Sequence, residues 1–534
     1  MIKKHHGVTI ESNFFYACLF ATVLIMAIYG SCPTLDGPSH LYNARIADYL
    51  ISGNNFVAGY YCHSTVPSPN FTDHYLLTLF CRFLSFSAAE KLIQLIYILS
   101  FSITFRLLVK SFNPTQPGLS IFAIPFAFSF LYYLGFYNFS LSFPILFTVI
   151  IYYHKWFSGI SIRPSLSKYI VLSLISLLLY FTNGLAFLFA GLILFLMQMY
   201  NVLLYAQKKA SIAKGIIKKL LLFLCIWLPG LICFSLFVYW VPMHAGKSER
   251  SFSELLQWLI DVRPLIVFGY KEVLYTRWIS YAIVVGLSIA IYLRIKNKAF
   301  YRFHSSDVFI IAFIFTLVCY FIIPDGYNVG MMSVRLCTYL FVFLLIWLAM
   351  QKGIAVIIWL ISITAITMHF ILLINARLPV EDSLNKEAEV IQSAARYIEP
   401  ESVVLTIDVT DGWLYDHFGD YIAMEKPMVV VPNYEADDSW FGIVWKSNMP
   451  QLIFNGRDSI AGYCNLPGPD HTKTYKEIDY MFVYGNYNTI ITDNKWSKVK
   501  DGISKRYKIT YASSDSTIHI FKLADKTISQ LPDH

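Results

Sequence analysis

Residues 14–45 read FFYACLFATVLIMAIYGSCPTLDGPSHLYNAR. An apolar run, Phe14–Gly30, gives way to a turn that carries one acid, Asp36, followed by Gly37-Pro38. Lys3 and Lys4 precede the run, but it is long for a signal-peptide core and lacks a small-residue cleavage site, so it reads as a first membrane span. The whole chain repeats this character. Of its 534 residues 56% are hydrophobic and 14% charged, with a mean hydropathy of +0.53. Soluble proteins carry about 25% charged residues. A soluble enzyme, a disordered chain and a disulfide-rich secreted module are excluded.

Eleven apolar segments predict spans near 14–30, 88–109, 118–136, 139–154, 168–183, 184–204, 220–241, 277–294, 307–323, 336–350 and 354–375. Before residue 381 there are 27 Lys and Arg against 11 Asp and Glu; from 381 onward there are 15 against 23. Placing the N-terminus inside puts most of the basic residues in the inner loops, as the positive-inside rule expects. Glu11 and Asp307 then fall inside. Asp36, Asp48, Asp73, Glu90, Glu249, Glu254, Asp261, Glu272 and Asp325 fall outside or at the outer edge. The sequence therefore predicts a multi-pass inner-membrane protein with a cytoplasmic N-terminus. Residues 1–380 form its transmembrane domain, with an outer loop at 31–87, and 381–534 form a soluble extracytoplasmic α/β domain. The basic excess belongs to topology, not to nucleic acid.

Two segments of the first outer loop, His40–Ile51 (HLYNARIADYLI) and His74–Phe86 (HYLLTLFCRFLSF), have the pattern of short amphipathic helices at the bilayer surface. A second outer loop holds His244, Lys247 and Arg250 ahead of another amphipathic stretch, Ser253–Val262. A third, Pro324–Arg335 (PDGYNVGMMSVR), holds Asp325 and ends on Arg335. In the tail, Leu384–Ile398 predicts a helix, and strands are expected at 403–409, 428–431, 480–484, 489–492, 509–512 and 517–521. Cys32 and Cys62 share the first outer loop, where an oxidising compartment would permit a disulfide. Asn70-Phe-Thr and Asn138-Phe-Ser match the glycosylation sequon and are read as chance. No CxxC, HExxH, Walker A, GxSxG or GxGxxG pattern is present.

Chemistry-bearing residues gather on the outer side. Asp36 lies beside a Gly-Pro turn, and His40 and Asn43 follow at a spacing that puts them on a similar helix face. Asp73 and His74 open the second amphipathic segment. Each has a plainer reading. Asp36 suits a helix cap, Asp73 and His74 a helix start, His40 the polar face of an interfacial helix, and Arg335 a snorkelling interface anchor. Lys247 and Arg250 suit headgroup contact.

An acid just past the first span, two interfacial helices in the first outer loop and the run Pro69–Phe80 (PNFTDHYLLTLF) leading into span two resemble the GT-C glycosyltransferases. The aminoarabinose transferases of lipid A and the protein O-mannosyltransferases are the members it is most like. The resemblance covers the first 110 residues by motif and the rest by architecture. It implies an inverting enzyme that moves a sugar from a polyprenyl-phosphate carrier to a lipid, glycan or protein acceptor on the outer face. Asp36 matches the family's acid after span one, as base or acceptor-orienting group. A carboxylate within hydrogen-bond reach takes the proton of an attacking hydroxyl, and the departing lipid phosphate needs cations. Arg335 is favoured for its two-pronged grip on phosphate, with His244, Lys247 and Arg250 as further candidates. His40, Asn43, Asp73, His74 and Asp325 complete the expected substrate-binding set.

The chain departs from the family where it commonly carries a Glu beside the Asp, or a second acidic pair after span three. Here Gly37 follows Asp36, and Gly135-Phe136-Tyr137-Asn138 follows span three. The sequence requires no cofactor, and this departure leaves a divalent cation without support. Two other classes stay open: a transporter or flippase of lipid-linked glycans, and a non-catalytic membrane scaffold. The spans hold few ionisable residues to line a transport path.

Overall fold

The computed structural model describes residues 2–29, 32–114, 118–158, 164–206, 213–241, 250–297, 303–326, 330–351, 355–437, 441–446 and 478–524. The chain divides into two compact units. One comprises residues 1–31, 67–73 and 91–382; the other comprises 32–66, 74–90 and 383–534. The sequence reading assigns the first outer loop to the membrane part. In the structure, most of that loop belongs with the C-terminal segment.

The first unit is helical. Among the described residues eight helices are long and apolar enough to cross a membrane. Helices suit that role because each backbone group is satisfied within its own segment. Leu221, Leu224, Leu228, Ile232 and Leu236 are all exposed at helical spacing along Ala213–Trp240, the stripe expected of a lipid-facing helix. Met332–Ala349 is buried on all sides apart from Met332 and Arg335 and so is central to the bundle. Three expected spans differ from the pattern. Tyr137–Phe157 carries Pro144 in its interior, and Leu166–Thr182 is short for a perpendicular crossing. The segment expected at 118–136 is broken into the short helices Gly118–Phe122, Ala123–Ala127 and Phe130–Tyr133. Ser129 caps the last of these through its hydroxyl, and Gly135 ends it at φ +80°. Non-helical backbone survives at this depth only where protein surrounds it. Here it is buried, and Arg377 donates to the Phe128 carbonyl (3.0 Å) released by the break.

Close pairing offsets the desolvation cost of two ion pairs in this unit. Arg106 grips Glu11 with two hydrogen bonds of 2.6 and 2.7 Å and also reaches Ser120. Arg294 grips Asp307 in the same way (2.7 and 2.8 Å), and Trp347 Nε1 donates to that carboxylate.

The second unit is built on strands β1 (Tyr61–His63), β2 (Ser402–Val409), β3 (Met428–Val430), β4 (Ile443–Trp445), β5 (Tyr480–Gly485), β6 (Tyr507–Ala512) and β7 (Ile518–Leu523). Five of them form a mixed sheet in the order β3-β2-β5-β7-β6, with β3, β2 and β5 parallel and β7 and β6 antiparallel to their neighbours. β2, SVVLTIDV, is buried at every residue, which is why it reads as a nearly continuous apolar run. The segment 489–492, expected as a strand, is instead the short helix Asn488–Thr492, started by Asn486 Oδ1 accepting from the Asn488 N–H. The helix expected from 384 begins earlier, at Leu378, because it continues from Ala355–Leu372 through one π-helical turn.

The loop residues join this sheet by backbone and side chain. β1 pairs antiparallel with β4, and Tyr61 stacks on Trp445 at 4.2 Å. The Tyr42 hydroxyl donates to Met428 O (3.1 Å) and accepts from Val430 N–H (2.8 Å). It thereby satisfies the outer rim of β3, an edge strand whose polar groups would otherwise be open. Cys32 and Cys62 are both thiols.

Candidate functional site

The Asp36 turn starts the site. Gly37 N–H donates to Thr34 Oγ1 (3.0 Å), and His40 N–H donates to the Asp36 carbonyl (2.9 Å), opening the helix Gly37–Ile51 with Pro38 in its first turn. The Asp36 side chain makes no capping hydrogen bond. Its Oδ1 lies 3.6 Å from His417 Nε2. Burial lowers the His417 pKa to about 4, against the pull of the Glu435 charge. The imidazole is therefore neutral at pH 7. An imidazolium in that place would weaken Asp36 as a base, and a neutral ring does not.

His40 and Asn43 share the inner face of the same helix. The helix Thr72–Cys81 lies against it, with Thr78 Oγ1 donating to the Ala44 carbonyl (3.2 Å). This brings His74 to His40, ring centroids 4.9 Å apart and planes nearly perpendicular. His40 Nδ1 is 3.3 Å from His74 Nε2. Glu435, wholly buried, reaches both rings, with Oε1 2.8 Å from His40 Nδ1 and Oε2 2.7 Å from His74 Nε2. Burial alone would raise this acid's pKa, but the charges of His74 and His40 outweigh it and hold the carboxyl well below its ordinary value. Two imidazole nitrogens and a carboxylate facing one another are groups that could hold a metal ion. Phe441 flanks both rings, and Tyr434 packs against Phe441 and His417.

Glu435 is positioned by its neighbour Asn433. The amides of Asn43 and Asn433 exchange two hydrogen bonds, 3.1 and 3.0 Å, both buried. Asp420 lies on the turn Phe418–Ala423. Burial, then the nearby Glu435 charge, raise its pKa far above the carboxylate range, so it is a neutral acid. One small region thus holds an ionised Glu435, a protonated Asp420 and a neutral His417, the kind of divergence that marks acid–base sites.

Of the residues expected from sequence, the structure gathers Asp36, His40, Asn43 and His74 in the second unit. Asp73, Arg250, Asp325 and Arg335 belong to the first. There Asp73 exchanges two hydrogen bonds with Asn138 (3.0 and 2.6 Å), which also occupies the amide of that sequon. Arg250 is held by Glu254 (2.7 Å) and Asp325 (3.1 Å), so two acids take up its charge. Asp325 further accepts from Ser333 N–H. Arg335 donates to Gly330 O and lies over the rings of Phe136 and Phe139. His244 and Lys247 lie outside the described residues. The sequence reading missed Glu435, His417, Asp420 and Asn433.

Two crystal structures of ArnT from Cupriavidus metallidurans align with this chain. The apo form matches with a TM-score of 0.56 at 10% identity, over 96% of this chain and 98% of that one. The form bound to undecaprenyl phosphate matches with a TM-score of 0.56 at 8% identity, over 96% and 97%. The chain has the fold of ArnT. That fold is mostly helical, with eight helices among the described residues long and apolar enough to cross a membrane and a C-terminal strand-containing region. No protein-family model and no curated protein sequence matches the chain.

Proposed function

We propose that the protein is an inverting membrane glycosyltransferase, which moves a sugar from a polyprenyl-phosphate carrier to a lipid, glycan or protein acceptor. The observation that carries this reading is the fold shared along 96% of the chain with ArnT, a protein crystallised with undecaprenyl phosphate. At this level of identity the residues must be argued from their own chemistry.

Asp36 is the base. The acceptor hydroxyl attacks the anomeric carbon, its proton passes to the Asp36 carboxylate, and the bond from that carbon to the phosphate oxygen breaks. The electron pair leaves with the lipid phosphate, and one displacement inverts the anomeric centre. His417 orients the carboxylate without protonating it at neutral pH. Arg335 stabilises the departing phosphate, a role for which its planar pair of donors is suited. Arg250 is less suited, since Glu254 and Asp325 already neutralise it. The reaction lies on the outer face, with the N-terminus inside. The excess of Lys and Arg in the loops assigned inside supports that orientation.

The test is to supply the purified protein, in lipid nanodiscs, with undecaprenyl-phosphate sugars and membrane acceptors. Release of undecaprenyl phosphate matched by an inverted product glycoside is expected. Donor left intact with every sugar and acceptor class would refute the reading.

A further inference from the structure

We propose that the first unit holds an anionic glycerophospholipid at the end assigned inside, in a site formed by Lys155, Trp156 and Lys168 with Gln198 and Asn201 beneath them. Its readout is bound lipid and not turnover, so it stands apart from the transferase reading. The orientation argued above enters only to name the leaflet, which is the inner one.

Three observations carry it. The first is charge without counter-charge. Lys155 lies in the last turn of the helix Tyr137–Phe157 and Lys168 in the first turn of the helix Leu166–Thr182. Their ammonium groups stand 5.0 and 3.5 Å from the centre of one indole ring, that of Trp156. No Asp or Glu occurs between Glu90 and Glu249 to offset them. The two acids assigned to this side, Glu11 and Asp307, are already gripped by Arg106 and Arg294. A positive-inside bias asks only for cations somewhere in the loop. Two of them gathered at one ring repel each other, and an anion between them removes that cost.

The second is a pair of buried donors with no acceptor. Gln198 and Asn201, on the adjoining helix Gly184–Ala206, are only 6% and 8% exposed. Gln198 Nε2 and Asn201 Nδ2 make no hydrogen bond among the described residues. An amide N–H left unmet in such surroundings is costly. The Tyr153 hydroxyl donates to Gln198 Oε1 (2.5 Å), which leaves the nitrogen of that carboxamide over.

The third is depth. Tyr153 precedes Trp156 by three residues, so the carboxamide it holds lies roughly 4.5 Å further into the bundle than the charges. The rings of Tyr153, Phe157 and Tyr169 pack in a row between the two levels, 5.4 and 5.0 Å from centre to centre. A glycerophospholipid has the same order along its length, a charged phosphodiester first and the acceptor carbonyls of its ester groups below. A free phosphate has no second tier. Leu166, Ile170, Leu174 and Leu178 are exposed at helical spacing along the helix that carries Lys168, a stripe suited to acyl chains. Basic pockets between spans on the cytoplasmic side are where anionic headgroups bind.

The test is native mass spectrometry of the full chain in detergent, titrated with phosphatidylglycerol or with phosphatidylcholine of the same acyl chains. The wild type should hold one phosphatidylglycerol about tenfold more tightly than phosphatidylcholine. Lys155→Gln/Lys168→Gln should weaken phosphatidylglycerol at least about tenfold. Lys110→Gln/Lys296→Gln removes two charges from the same side elsewhere and should bind as the wild type does. Gln198→Leu deletes the unmet donor and should weaken both lipids several-fold, where a purely structural role would leave lipid retention unchanged. Millimolar inorganic phosphate should not displace the bound lipid. Equal retention of the two lipids by the wild type would overturn the proposal, as would equal losses in the site and control lysine variants, leaving a positive-inside bias only. Full retention by Gln198→Leu, or displacement by phosphate, would equally overturn it.

Discussion

The side-chain amides of Asn43 and Asn433, 390 positions apart in sequence, hydrogen bond to each other twice inside the same unit. A primary amide carries one acceptor and a pair of donors, so two amides face to face satisfy each other reciprocally. Removing either one leaves the other buried with unmet hydrogen bonds. Asn43→Ala and Asn433→Ala should each cost about 1–3 kcal/mol, while the double variant should cost clearly less than their sum. Unfolding of the four proteins in one detergent checks this; strict additivity would show that the pair does not act as a unit.

Tyr42 closes the open side of β3 with its hydroxyl. Tyr42→Phe keeps the ring and deletes the hydroxyl, leaving Val430 N–H, Met428 O and the Tyr61 hydroxyl without it. Stability should fall by about 1–3 kcal/mol. The Val430 amide should lose hydrogen-exchange protection, while the β2 amides next to β5 keep theirs.

Asp416 supplies a pH dependence with a fixed sign. Burial, then the charge of Asp408, raise its pKa to about 6 from an ordinary 3.8. Between those values the folded chain holds a proton that the unfolded chain has released, so this group's contribution to stability falls as pH rises and stays low above pH 6. Asp416→Asn should be neutral near pH 4 and stabilising at pH 7. The side chain is partly exposed, so solvent screening keeps the gain small. Thermal unfolding of both proteins across that range is the check.

Glu11 and Arg106 form a buried ion pair in the membrane unit, bidentate and backed by the Phe15 ring face. Glu11→Ala strands the guanidinium and should cost about 3–5 kcal/mol. Replacing both members with apolar residues of similar volume should recover most of that loss, measured as thermal stability in nanodiscs.

The membrane part was legible because lipid solvent demands long apolar runs, and no soluble context produces so many of them. Asp36, His40, Asn43 and His74 were legible because they stand on amphipathic segments beside a Gly-Pro turn. The segment 118–136 misled because Pro125, Ser129 and Gly135 break it while its composition stays fully apolar. Glu435, His417 and Asp420 were hidden for the opposite reason. They belong to an acid-rich tail, where polar residues look solvated, and Glu435 rides a helix only four residues long. One signal was present. Asn433 and Glu435 follow the apolar run 428–431, and in α/β sheets the residues just past the carboxyl end of a parallel strand are where ligand-binding groups gather.

The most direct test of the central claim is sugar transfer from undecaprenyl-phosphate donor by Asp36→Asn, measured beside the thermal stabilisation that undecaprenyl phosphate itself confers. The account predicts that lipid-phosphate stabilisation persists while the transfer rate falls by about 10²-fold or more, the loss expected when a general base is removed. Transfer at the wild-type rate by a folded Asp36→Asn protein would contradict it.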